Sequence, residues 1–110
     1  KYDKQNNYEK VKKTFSDFNV EIIKGAIPDT LPQIKAQKIC FLHIDMNTAM
    51  PEVTALDYLW GRVSKGGIVL FDDYAYRGHS LQKKAHDTWA KENGVEILSL
   101  PTGQGFLLKK

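Results

Sequence analysis

Three aspartates stand at the ends of the chain's two most apolar runs. Asp45 closes residues 39–44 (Ile, Cys, Phe, Leu, His, Ile), and Asp72 with Asp73 closes residues 68–71 (Ile, Val, Leu, Phe). Carboxylates are hard oxygen donors, and several brought together repel one another unless a cation neutralises them. Gathered on one rim they would hold a hard divalent ion such as Mg2+ or Ca2+, with Asn47, two residues past Asp45, offering a further carbonyl oxygen. The competing reading is local: Asp72 and Asp73 cap a loop, and Asp45 caps the following helix. An acid at both strand ends favours the shared site. His79, in the loop beyond Asp73, is expected to contact substrate, as is Tyr74, for which closing the core is the alternative. His43, within an apolar run, reads as a satisfied core histidine, and His86, within a helix, as an ordinary surface or packing residue. Cys40 reads as a buried thiol, and a single cysteine excludes both an internal disulfide and a cysteine-built metal cluster.

An alternating order of helices and strands must position these groups. Tyr8, Val11, Phe15 and Phe18 recur at helical spacing and predict a helix over residues 5–17. The β-branched residues 20–24 predict a strand closed by Gly25, and a turn follows through Pro28 and Pro32. Residues 39–44 read as a strand covered on both faces of a parallel sheet. From Pro51, the residues Val53, Leu56, Leu59, Trp60 and Val63 keep helical spacing until Gly66 and Gly67, and residues 68–71 form the next buried strand. Strand, helix, strand is a parallel crossover. Leu81, Ala85 and Trp89 mark a last helix closed by Gly94, with Trp60 and Trp89 expected in the core. Residues 95–100 and 106–108, flanking Pro101–Gly105, then predict an antiparallel hairpin. In such open sheets ligands gather at the carboxyl ends of the strands, which is where the three aspartates lie.

The composition fits one soluble α/β domain spanning residues 1–110, with 42% apolar and 26% charged residues and no signal-peptide pattern, so a cytoplasmic location is expected. The net charge of +3 is too mild and too scattered to argue for nucleic acid. No membrane association is expected either. Gly103, Gln104 and Gly105 begin a G-x-G, but Leu108 replaces the third glycine and no helix follows, so they form a turn rather than a nucleotide fingerprint. Phosphate-loop, nucleophile-elbow and H-E-x-x-H patterns do not occur.

Taken in order, Asp29-Thr30-Leu31-Pro32, then Phe41 to Asn47, then Gly66 to Tyr74 resemble class I S-adenosylmethionine-dependent methyltransferases of the macrocin O-methyltransferase type. The resemblance runs from the first helix to the final hairpin. It implies a partial Rossmann-like methyltransferase sheet, with parallel strands and a C-terminal antiparallel hairpin, that enters the family's fold partway through and matches its C-terminal half. It implies a divalent-metal-assisted transfer of methyl from S-adenosylmethionine to a small hydroxylated metabolite. Asp45, Asp72 and Asp73 match the family's magnesium ligands, and Asp45 takes a second role as acceptor of the hydroxyl proton. Thr48 stands where related catechol-type enzymes carry a lysine base. The family's cofactor-binding glycine-rich loop and acid precede the region matched, so the N-terminal strands are missing from this sequence and these 110 residues alone are expected to bind S-adenosylmethionine poorly. An apolar sheet edge left by those strands implies a homodimer in which strand exchange or edge pairing fills the vacant position. Two other readings are a non-catalytic assembly module that keeps the fold and, ranked last, a Mg2+-dependent phosphate-ester enzyme.

Overall fold

The computed structural model describes residues 4–75 and 80–110, with side chains from residue 7 onward. His79 and Tyr76 lie outside the described residues. Helix α1 spans Lys4–Thr14, strand β1 Ile39–Ile44, helix α2 Ala49–Trp60, strand β2 Val63–Phe71, helix α3 Ser80–Glu92, and strands β3 and β4 Leu98–Ser99 and Gly105–Leu108. The sheet order is β1-β2-β4-β3, with β1 and β2 parallel and the other pairs antiparallel. This is the expected α/β arrangement, a parallel crossover followed by an antiparallel hairpin.

Helical spacing decides which side chains meet. On α2 the buried positions are Glu52, Ala55, Leu56 and Leu59, and on α3 they are Gln82, His86, Trp89 and Ala90. Both sets follow the three- and four-residue repeat of one helix face, so the two helices pack face to face, with Trp60 and Trp89 edge to face at 5.2 Å. Beneath them lie Ile44, Val69, Phe71 and Leu107, alternate residues of three adjacent strands. The Phe71 ring sits 4.5 Å from that of His86 and ties α3 to the sheet.

Several expectations need correction. The strand predicted over residues 20–24 does not form: the segment has no regular structure, since an extended run gains its hydrogen bonds only from a neighbouring strand and none pairs with it among the described residues. Helix α2 stops at Trp60 with Gly61 as its cap, six residues before Gly66. Gly66 and Gly67 instead form an irregularity inside β2, where the pairing jumps from Ile39↔Val63 to Phe41↔Ile68. Gly66 takes φ 82°, and a Cβ on Gly67 would meet Ser64 O and Val63 Cγ1 at 2.8 Å, so this bulge admits only glycine. β1 is not covered on both faces. It is an edge strand of the described sheet, and only its last residue, Ile44, is fully buried; Cys40, Phe41 and His43 are exposed. No helix among the described residues is long and apolar enough to cross a membrane.

The β3–β4 hairpin is pressed onto the end of β2 at Gly105, where an added Cβ would lie 2.6 Å from Tyr74 Cγ. Gly105→Ala is expected to destabilise the fold by about 1–3 kcal/mol through overpacking. Urea unfolding measures this, and an unchanged midpoint would show that the ring moves aside freely.

Candidate functional site

The parallel pairing of β1 and β2 builds the acidic rim. His43 pairs with Leu70 and Ile44 with Phe71, so the next positions in that register are Asp45 and Asp72. The ladder continues one step past the strands, because the Asp72 N–H donates to Ile44 O at 3.0 Å. Asp45 and Asp72 thus leave the sheet side by side. A carboxylate oxygen of each, together with a ring nitrogen of His43, forms a group of three donors within 4.8 Å of one another. Asp72 Oδ1 lies 3.6 Å from His43 Nε2 and accepts a 3.1 Å hydrogen bond from Gln104 Nε2. Asp73 is outside that trio, but its Oδ2 is buried with no hydrogen-bond partner among the described residues.

Charge crowding shows in the chemistry of Asp45. Loss of solvent, then the neighbouring carboxylates of Asp72 and Asp73, push its pKa above the ordinary aspartate value, with His43 opposing. A cation would remove that repulsion, and oxygen donors from Asp45 and Asp72, an orphaned Asp73 oxygen and an imidazole nitrogen are donors that fit a divalent ion. Asp45 does not cap α2, whose N-cap is Thr48. Asn47 is exposed at φ 60°, a left-handed conformation that asparagine tolerates, and so turns the chain from β1 into α2.

A buried polar group fixes this turn from below. Glu52, 1% exposed, accepts the Met46 N–H at 2.9 Å on Oε2. Its Oε1 accepts His86 Nε2 at 2.9 Å and Gln82 Nε2 at 3.3 Å. Burial pushes the Glu52 pKa up, but the hydrogen bonds from His86, Met46 and Gln82 outweigh it and hold the carboxyl below its ordinary value. His86 is therefore neither a surface residue nor simple packing.

Tyr74 takes the core-closing placement. It is 3% exposed, its hydroxyl donates to Asp87 Oδ1, and Lys83 Nζ bonds Asp87 Oδ2 at 2.8 Å while lying 4.8 Å from the tyrosine ring. Burial, then the bond to Asp87, raises its pKa. His79 falls outside the described residues. Sequence reasoning missed three residues here. His43 shares β1's strand face with Asp45 by the i, i+2 rule. Glu52 stands at a core position of the α2 stripe, four residues before Leu56, and that was a legible signal. Gln104 carried none, because only the folded hairpin brings it to Asp72. An apolar groove between α2 and α3, walled by Met50, Val53, Leu81 and Ala85, includes none of the acidic rim residues.

Solved structures that share this open α/β fold include two described as O-methyltransferases. The O-methyltransferase NovP superposes with a TM-score of 0.76 at 22% identity, over 93% of this chain and 44% of that one. CalS11, described as a TDP-rhamnose 3'-O-methyltransferase of calicheamicin biosynthesis, superposes with a TM-score of 0.63 at 18% identity, over 78% of this chain and 39% of that one. The chain thus spans less than half the length of either. The family profile Macrocin-O-methyltransferase (TylF) matches residues 4–97, and the chain belongs to that family. No curated protein matches it.

The lowered pKa of Glu52 has a sign that can be tested. A carboxyl whose folded pKa lies below its unfolded value of 4.5 contributes stability above pH 4.5, and that contribution drains away as pH falls through the lower folded value. Glu52→Ala should cost about 2–5 kcal/mol at neutral pH, the scale for leaving buried donors such as the Met46 amide without their acceptor, and less in acid. Denaturant unfolding at pH 7 and pH 3 measures both, and an equal loss at the two pH values would contradict the assignment.

Proposed function

We propose that the whole protein is an S-adenosylmethionine-dependent O-methyltransferase acting on a small hydroxylated metabolite with the help of a divalent cation, and that this chain supplies the cation-holding rim. The observation that carries the reading is the convergence of Asp45 and Asp72 in a chain of the macrocin O-methyltransferase family, with Asp73 next in sequence close enough to act on the charge of Asp45. Asp45, Asp72 and Asp73 would hold the cation, for which Mg2+ is the choice expected of carboxylates alone. Bound there, it supplies Lewis-acid charge that lowers the pKa of a coordinated hydroxyl.

The chain's own residues do the rest. Asp45 would accept the hydroxyl proton. Gln104 and the Asp72 N–H bond to Ile44 hold Asp72 in one orientation, and Glu52 holds the Met46 amide so that Asp45 keeps its distance from Asp72. Such fixed geometry is what in-line transfer to an acceptor oxygen demands. Glycine-rich loops that grip the methyl donor do not occur in these 110 residues, and they would belong to the other half of the fold. The exposed edge of β1, carrying Cys40 and Phe41, is offered as the homodimer surface.

Asp72→Asn in the full-length enzyme should lower methyl transfer by at least about 100-fold while leaving the circular dichroism spectrum and thermal midpoint unchanged. Undiminished turnover would show that transfer does not depend on the rim, whereas a folded, unaltered full-length protein with no methyl transfer would favour the assembly-module reading. Light scattering of the 110-residue chain should show a dimer at high concentration and a smaller fraction of it in Phe41→Glu. A monomer at all concentrations would remove the edge-pairing proposal and leave the enzyme reading intact.

A further inference from the structure

The donors at the rim are not those that three aspartates alone would make. His43 is the residue that joins them. Strand geometry places residues i and i+2 on one face, so the imidazole leaves β1 on the side from which Asp45 follows. Its Nε2 lies 3.6 Å from Asp72 Oδ1, beyond a normal hydrogen bond, and makes no other polar contact among the described residues. The side chain is 41% exposed, so the nitrogen is reachable from solvent. Ligand atoms on opposite sides of one octahedral ion stand about 4 Å apart, given bonds of about 2.1 Å. A trio already within 4.8 Å needs side-chain adjustments of about an ångström to close on one ion.

Resting on the cation-assisted reading above, we propose that His43 is a protein ligand of the rim's cation. With Asp45 and Asp72 it makes a set of one nitrogen and two carboxylates that selects a borderline first-row dication over Mg2+. Mg2+ takes oxygen donors and gives up water reluctantly, so an imidazole adds little to its binding. First-row transition ions bind imidazole well, with affinity rising along the series from Mn2+ to Co2+ and beyond. Gln104 supports the same assignment. By bonding Asp72 Oδ1 it fixes that carboxylate and leaves Oδ2 without a bond to Gln104.

The test uses the full-length protein with Mn2+, Co2+ and Mg2+ as probes. Pulsed electron paramagnetic resonance of bound Mn2+ should show nitrogen modulation from a directly coordinated imidazole, absent in His43→Ala. In calorimetric titration His43→Ala should lose at least about tenfold in Co2+ affinity and less than about threefold in Mg2+ affinity. Absence of nitrogen modulation in the unaltered protein, or equal losses for the two ions, overturns the role of His43 while the carboxylate site stands. If no cation binds and Asp72→Asn keeps full turnover, the cation-assisted reading itself falls, which is a different result. Because the modulation is read on the unaltered protein, the test survives a His43→Ala variant that fails to fold.

Discussion

One buried carboxylate holds the working end of this molecule together. Glu52 belongs to α2, yet its oxygens reach the turn after β1 through the Met46 amide and reach α3 through His86 and Gln82. An ionised carboxylate taken out of water costs several kcal/mol unless its lone pairs are matched by donors. Here three donors meet it. Removing any of them leaves a buried charge partly unmatched, so the positions of α2, α3 and the β1 exit are coupled through a single side chain. A hydrophobic residue at that place would pack the helices as well but would leave the Met46 amide without its acceptor, and with it the direction in which Asp45 leaves the sheet.

Above that fixed turn the electrostatics run the other way. Below the rim a negative charge is stabilised by donors; at the rim negative charges crowd one another, and Asp45 responds with a raised pKa. Gln104 and His43 soften the crowding around Asp72 but do not neutralise it. A site that keeps like charges side by side on a rigid scaffold stores the repulsion that a cation would relieve, and catalytic sites commonly carry such strain. Rigidity matters here, because flexible carboxylates would simply turn apart.

How much of this was legible in the sequence depends on whether the signal was local. The order of β1, α2, β2, α3 and the hairpin followed from apolar spacing, and the gathering of Asp45 and Asp72 followed from their places at the ends of two parallel strands. Residues 20–24 had strand composition but no partner, and composition does not reveal partners. Gly66 and Gly67 looked like a helix stop because glycine ends helices, while the structure uses them to bend β2. His43 was misjudged because an apolar run suggested two covered faces; strand alternation shows that only one of them needed to be.

That one-sidedness has a consequence for the site. The covered face carries Ile44, Val69, Phe71 and Leu107 under α2 and α3, whereas Phe41 at 54% and Leu108 at 45% exposure stand on the other face with His43. Apolar residues left half open in this way forgo part of the about 1.5–3 kcal/mol that complete burial gives such a side chain. His43 therefore emerges from a surface that is mostly apolar, where an imidazole has few polar partners to compete for its nitrogen. The same pairing register that sets Phe41 beside Ile68 and Leu108 also sets His43 beside Leu70 and Phe106, so whatever covers this face would sit against the imidazole as well. Covering it would exclude water from His43 Nε2 and strengthen every charge interaction at the rim.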